Sequence, residues 1–205
     1  MNRQISIIIF GSLFAFTLYR SYHYDNIFQL YIYLLLGIPL VFLFFKSIIE
    51  WIKSQKTNNG NLTNWKSLII GVLVISINVG IYSYYEIKVN KPTLIKALIF
   101  GGYVDFKKNG EYVIISGSWA SRTHFYGTFI IKDSIITVDR KGFDDVLTTN
   151  RFVIRNSNRL IKDNYKNNEV IIKKHLIQIN GKGKEIKRKY SQENYRLPVV
   201  VDNLN

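Results

Sequence analysis

Three long apolar runs fill most of the N-terminal region and constrain the fold more than any other feature. They cover residues 5–19, 27–49 and 68–85. A helix rises about 1.5 Å per residue, so roughly twenty residues cross a hydrocarbon core of about 30 Å. An open strand would leave its backbone N–H and C=O groups unpaired in lipid. The runs therefore predict a transmembrane region over residues 1–91 with three helices, at about 5–22, 27–49 and 67–86.

The positions of Lys and Arg around the three runs bear on orientation. No small-x-small cleavage signal follows the first run, so we expect an uncleaved anchor. One side carries Arg3, Lys46, Lys53, Lys56 and Lys66, and the other carries Arg20, Lys88, Lys91 and Lys96. This asymmetry favours a cytoplasmic N-terminus. We therefore expect a multi-pass protein of a bacterial inner (cytoplasmic) membrane, with its C-terminal domain in the periplasm or outside the cell.

The third run contains a polar residue, Asn78, between the small residues Ser76 and Gly80. Small residues four apart let helices approach closely, and an amide can hydrogen-bond across their interface. We expect these three residues to serve helix packing; an ion or substrate site is the alternative. The runs contain no Asp, Glu, Arg or His, which argues against a pump or a proton-coupled transporter.

Residues 92–205 have the composition of a water-soluble domain. They carry twenty Lys or Arg against eleven Asp or Glu. At the junction, Pro92 suits a helix start and Gly101 a helix stop, so a short helix is predicted over residues 92–101. A bent continuation of the third apolar helix is the alternative.

The strongest local signal is a β-hairpin over residues 103–115. Asn109-Gly110 suits a two-residue type I′ turn, in which both central residues have positive φ. That turn would place Phe106 opposite Val113 and Val104 opposite Ile115.

The remaining sequence alternates apolar and polar residues in short stretches separated by turns. Turns are predicted at residues 132–134, 156–158 and 180–183, and residues 197–202 suggest a last strand. The sequence thus predicts an antiparallel β-domain over residues 102–205, either a barrel or a sandwich, following the membrane helices.

Three segments carry a resemblance: "YVDFKKNGEY", "FYGTFIIKDSIITVD" and "HLIQINGKGKEI". Together they resemble a β-module of small uncharacterised bacterial membrane proteins and lipoproteins, which have N-terminal transmembrane helices and a C-terminal β-rich domain. The resemblance covers about residues 100–190 and implies a fold but no activity. The segment "GSWASRTH" departs from it and fills a loop between matching strands.

Catalytic and metal-binding patterns are missing from the sequence. There is no cysteine, and His23, His124 and His175 have no ligand spacing. No serine-nucleophile motif occurs. We expect neither an enzyme nor a cofactor or metal site; an enzyme using Arg122, His124 and the carboxylates of residues 144–145 is the remaining alternative.

Two clusters are candidate binding residues for a ligand or partner. The first is Trp119, Arg122, His124 and Tyr126, because aromatic and arginine side chains often form protein–protein hot spots. Its alternative is a long hairpin with Trp119 folded onto the core. The second is Lys184, Lys187 and Arg188, which could meet lipid phosphates or an acidic protein. Its alternative is an edge strand whose lysines block strand pairing.

These features predict a non-enzymatic membrane protein whose extracytoplasmic β-domain binds a protein or an envelope ligand, in an immunity, accessory or sensing role. The alternative is an oligomeric transport or channel component formed by the three helices. Membrane lipid, a protein partner and other copies of the chain are the partners we expect, and nucleic acid is not expected.

Overall fold

A computed structural model describes residues 2–56, 62–99, 101–143, 147–163, 168–186 and 196–204. The chain forms two compact units, Met1–Val89 and Asn90–Asn205. The first is helical and the second is a β-barrel.

Three helices make up the first unit: α1 (Arg3–Ser21), α2 (Gln29–Lys56) and α3 (Leu62–Val89). All three are long and apolar enough to cross a membrane. The predicted helices are confirmed, and α2 and α3 are longer than the apolar runs because both extend into polar flanks. A short extended segment, β1 (Tyr24–Asn26), lies between α1 and α2.

Large apolar side chains cover the outside of the helical unit. Leu35 is 72% exposed and Tyr31 is 68% exposed, and many others on the three helices are similarly uncovered. Soluble proteins rarely expose apolar patches larger than a few hundred Å². Lipid is the solvent that suits this surface, and the chain is a membrane protein.

Polar and aromatic contacts tie the helices together at both ends. At one end Arg3 pairs with Glu50, and Trp51 packs edge-on against Trp65 with ring centroids 5.7 Å apart. At the other end the Tyr22 hydroxyl donates to Glu86 at 3.1 Å. Aromatic side chains at both ends are typical of the two membrane–water interfaces.

Eight antiparallel strands form the second unit. They are β2 (Thr93–Ile99), β3 (Gly102–Lys107), β4 (Glu111–Gly117), β5 (Ser121–Lys132), β6 (Ile135–Val138), β7 (Arg151–Asp163), β8 (Asn168–Gln178) and β9 (Arg196–Asp202). Each strand pairs with the next along the chain, and β9 pairs with β2. The sheet therefore closes into an up-and-down barrel, which confirms the predicted antiparallel β-domain and decides between the barrel and the sandwich that the sequence left open.

The barrel interior is a packed aromatic core. Phe106 lies edge-on to Phe129 at 4.8 Å and to Phe152 at 6.1 Å between ring centroids, and Tyr112 packs against Phe143 at 5.8 Å. An eight-stranded barrel is just wide enough for side chains to fill. Because these rings occupy the interior, binding residues have to be sought on the outer surface and at the barrel ends.

The predicted junction helix over residues 92–101 is wrong, because this segment is strand β2. Ile95, Ala97 and Ile99 all face the core and are 9% exposed or less. That period of two belongs to a strand, and pairing with β3 and β9 overrode the local helix signals of Pro92 and Gly101.

The predicted register of the first hairpin is wrong by one residue. Phe106 lies opposite Tyr112, and only Gly110 of the Asn109-Gly110 pair has positive φ. The turn is therefore a three-residue loop with a glycine bulge rather than type I′. A slip of one residue exchanges the two faces of β4, so Tyr112 enters the core and Val113 lies on the outer face.

Two predicted turns and the predicted last strand can be compared with the structure. The turn predicted at residues 132–134 is confirmed, with positive φ at both Asp133 and Ser134. The turn predicted at residues 156–158 is wrong: β7 runs through it with an irregularity between Asn156 and Arg159. The predicted last strand is confirmed as β9.

Candidate functional site

The antiparallel order of the barrel gathers four connections at one end. The β2–β3, β4–β5, β6–β7 and β8–β9 connections all lie there. We call this the loop end. The opposite end, where the chain enters β2, holds the β3–β4 and β5–β6 turns and is called the entry end. The two predicted clusters, around Trp119 and around Lys184, start from different connections of the loop end.

The β4–β5 connection is a tight turn with Trp119 at its tip. The Ser118 N–H donates to the Ser121 carbonyl at 2.8 Å, and the Ala120 N–H donates to Ser118 Oγ at 3.3 Å. A Cβ on Gly117 would lie 2.3 Å from the Ser121 carbonyl oxygen, so glycine is required there. Trp119 is 85% exposed. The alternative that Trp119 folds onto the core is therefore wrong.

The start of the β8–β9 connection is a second ordered turn, which we call the Asn180 turn (residues 180–184). The Asn180 side-chain oxygen accepts from the backbone N–H groups of Lys182 and Lys184, both at 3.0 Å. Arg151 Nη1 donates to the Gly181 carbonyl at 3.0 Å and ties the turn to β7. The side chains of Lys182 and Lys184 are exposed.

Asp139 anchors the β6–β7 connection. Its carboxylate accepts from the Thr128 N–H at 2.8 Å, the Tyr112 hydroxyl at 2.9 Å and the Thr128 hydroxyl at 3.1 Å. Burial opposes the charged form, but these hydrogen bonds outweigh it and hold the pKa of Asp139 below its ordinary value. Beyond Asp139, the fully buried Phe143 and Leu147 of the same connection enter the barrel core.

Charge at the loop end is unbalanced. Six exposed basic side chains lie on its described residues: Arg122, Arg140, Lys141, Lys182, Lys184 and Arg196. Two carboxylates are described there: Asp139, which accepts from neutral donors, and Glu185, which makes a two-pronged contact with Arg196 at 3.0 and 3.3 Å. The described part of this end therefore carries a net positive charge, and it also carries one exposed tryptophan.

The structure separates the first predicted cluster. Arg122 is the second residue of β5, and His124 and Tyr126 follow it along the outer face of that strand, opposite Ile115 and Val113 of β4. A strand rises about 3.4 Å per residue, so Tyr126 lies roughly 13 Å from Arg122. Trp119 lies at the tip of the turn, whereas Arg122, His124 and Tyr126 share the outer face of β5, with Arg122 nearest the loop end.

Some predicted residues lie outside the described part of the chain. Among the second cluster only Lys184 is described; Lys187 and Arg188 are not, and neither are the carboxylates of residues 144–145. Within the described residues, no group of three metal-ligating side chains comes together.

The predicted packing residues of α3 occupy two different faces. Asn78 is buried against α1 and donates its amide to the Val74 carbonyl at 2.8 Å and the Gly11 carbonyl at 3.4 Å. Ser76 is exposed, and a Cβ on Gly80 would meet nothing within 4 Å. Residues two apart on a helix point in nearly opposite directions, which explains the separation. Gly11 is the small residue that contacts α3. Because Gly11 lies on α1, the small-xxx-small pattern of α3 does not reveal this contact.

Sequence reasoning also missed a buried ion pair on the outer face of β3. Lys107 Nζ lies 2.8 Å from Asp105 Oδ2, and Thr93 donates to the same oxygen at 3.2 Å. Both charged side chains are at most 5% exposed. A charge this deeply buried needs a partner, and each supplies the other's. The i, i+2 spacing of Asp105 and Lys107 on one strand face was the available signal.

Comparisons of the chain with protein-family models, with curated proteins and with solved structures found no match.

Proposed function

We propose that this chain is an integral protein of a bacterial inner membrane that holds its barrel on the extracytoplasmic side and binds a protein partner there. The role is non-enzymatic: an immunity, accessory or sensing protein. The observation that carries the proposal is Trp119, 85% exposed at the tip of a hydrogen-bonded turn. Tryptophan and arginine dominate interface hot spots, and Arg122 lies near the start of the next strand.

The packed interior of the barrel supports an external binding site. Because aromatic rings fill the core, the surfaces left for recognition are the outer wall and the two barrel ends. A turn that is already ordered loses little conformational entropy when it binds, which favours Trp119 as an anchor.

Site-specific photocrosslinking tests this proposal. The photoreactive amino acid p-benzoylphenylalanine replaces Trp119 in one variant and Ile130 in a control, since Ile130 is also exposed (68%) but lies near the entry end. Irradiation of native membranes should give one discrete heavier adduct from position 119 and none from position 130. Equal adducts from both positions, or none from position 119, would contradict the proposal.

A homo-oligomeric transport component is the second candidate. Ser76 and Gly80 favour it, because they form a small, uncovered pair one helical turn apart on α3. Asn78 does not support it, since its amide bonds within the helical unit. The chain has no cysteine, so a Ser76→Cys variant provides a single crosslinking site. Disulfide dimers from this variant, but not from Asn78→Cys, are the expected result if copies associate through that face.

A further inference from the structure

The basic side chains of the loop end come from three separate connections. Arg122 follows the β4–β5 turn, Arg140 and Lys141 lie in the β6–β7 connection, and the Asn180 turn adds its two lysines. No ion pair neutralises the lysines of the Asn180 turn in the part of the chain that the structure describes. Among the described residues, the positive charge is thus spread over three connections rather than confined to one segment.

We propose that the loop end recognises an acidic face of a partner protein, with Trp119 as the apolar anchor and the basic side chains of the other connections at the same end selecting negative charge. This inference rests on the proposed function and deepens it by naming the chemistry of the partner. Complementary charge steers association and rejects partners of the wrong sign.

A protein suits this surface better than a bilayer does. Binding of a protein to a lipid interface grows with the apolar area that it inserts, and interfacial segments present several large apolar side chains. Across the described residues of the four loop-end connections, Trp119 is the single exposed large apolar side chain, and Leu98 of β2, 43% exposed, is the nearest other one on that strand. One aromatic anchor within a charged rim is the arrangement of a protein–protein hot spot.

The geometry of the two turns strengthens the charge argument. The Asn180 side chain fixes the backbone from which Lys182 and Lys184 project, and the Ser118 hydroxyl helps fix the turn that carries Trp119. Charges and anchor on ordered backbones are pre-positioned for one partner shape.

Binding of a fluorescein-labelled decaglutamate peptide to the purified full chain in neutral detergent tests the inference, with decaglutamine as the uncharged reference. The loop-end variant is Lys182→Glu/Lys184→Glu. Its matched control is Lys108→Glu/Lys132→Glu, which changes the net charge equally through exposed lysines of the entry-end turns. A neutral variant, Lys182→Gln/Lys184→Gln, guards against a folding defect caused by charge reversal.

We expect the loop-end reversal to weaken decaglutamate binding at least about tenfold, the neutral variant to lie between it and the wild type, and the control to change it less than about twofold. Raising the salt from 50 to 200 mM should weaken the wild type, because exposed charges are screened. The inference is overturned by equal loss in both reversals, by no preference over decaglutamine, or by tighter binding to phosphatidylglycerol vesicles through the same lysines.

The two proposals fail separately in this design. If the photoadduct at position 119 persists unchanged in the Lys182→Glu/Lys184→Glu variant, the partner-binding function stands and the acidic-partner inference falls. If the adduct is missing from the wild type, the function itself falls.

Discussion

Asp139 holds the β6–β7 connection to strand β5 and to Tyr112 through three hydrogen bonds. The connection then inserts Phe143 and Leu147 into the core. A single carboxylate therefore couples a surface loop to barrel packing. Hydrogen bonds to a charged acceptor are stronger than neutral ones, so this anchor contributes more than an ordinary turn contact.

Replacement of Asp139 by Asn should lower the free energy of unfolding of the barrel by about 1 kcal/mol at neutral pH, because a charged hydrogen-bond acceptor becomes neutral. The folded-state pKa of Asp139 lies below its ordinary value. Its stabilising contribution is therefore full above the unfolded pKa of about 3.9 and is lost as the pH falls through the lower folded-state value.

Urea unfolding at pH 7 and at pH 2, monitored by near-ultraviolet circular dichroism, measures this effect. At pH 7 the free energy of unfolding of the wild type should exceed that of the Asp139→Asn variant, and this difference should shrink at pH 2. Asp133→Asn is the control, since Asp133 is an exposed turn carboxylate and Asn tolerates its positive φ. A difference that stays constant with pH would contradict the assigned role of Asp139.

Turn residues show what single-residue reasoning could and could not predict. Asn109-Gly110 has the preferred composition of a type I′ turn, yet Asp133-Ser134 is the pair with positive φ at both positions. The local apolar–polar pattern does not decide the register of a hairpin when both faces of a strand carry apolar side chains. Burial of the large Tyr112 side chain in the core decided the first hairpin, and no local pattern contained that information.

At the scale of elements, the contact between α1 and α3 depends on Gly11. A Cβ at this position would lie 2.0 Å from Val74 Cγ1, which is far inside van der Waals contact. The absence of a side chain there brings the Gly11 carbonyl within reach of the Asn78 amide. Without a hydrophobic drive between helices in lipid, such close packing and hydrogen bonding stabilise their association.

Replacement of Gly11 by Ala should separate α1 from α3 and destabilise the helical unit by about 1–3 kcal/mol, the usual cost of overpacking. Val74→Ala removes the clashing methyl groups and should restore part of the loss in the double variant. Thermal unfolding in detergent, analysed as a double-mutant cycle, gives the coupling. Gly80→Ala is the matched control and should be nearly neutral, because its Cβ meets open space. Equal effects at the two glycines would refute the assigned contact.

The junction shows why element type was harder to predict than element existence. Between Pro92 and Gly101, Leu94 and Leu98 fit one side of a helix, but Ile95 and Ala97 fit one side of a strand equally well. A short apolar segment does not distinguish the two periods. The pairing of β2 with β9, more than a hundred residues along the chain, settles the conformation, and that contact has no sequence signature.

At the scale of the whole molecule, composition was sufficient to divide the chain into membrane helices and a β-domain. The candidate site needed more, because the Trp119 turn and the Asn180 turn are about sixty residues apart in sequence and meet at one end only through the order of the strands. In the sequence, the Trp119 turn and the Asn180 turn form two separate clusters. Barrel closure makes them parts of one end, and the direction of β5 carries His124 and Tyr126 away from that end along the outer face of the strand.

Three spans require successive connections to alternate between the two sides of the membrane, and this alternation can be measured. Because the chain lacks cysteine, each of three single variants creates one reactive thiol. Tyr24→Cys places the thiol between α1 and α2, Asn58→Cys between α2 and α3, and Lys108→Cys in the barrel. A membrane-impermeant maleimide added to intact spheroplasts should label positions 24 and 108, while position 58 should react only after permeabilisation. The positive-inside asymmetry sets this direction. The reverse pattern would keep the three spans and invert the proposed orientation, whereas equal labelling at all three positions would remove the transmembrane arrangement itself.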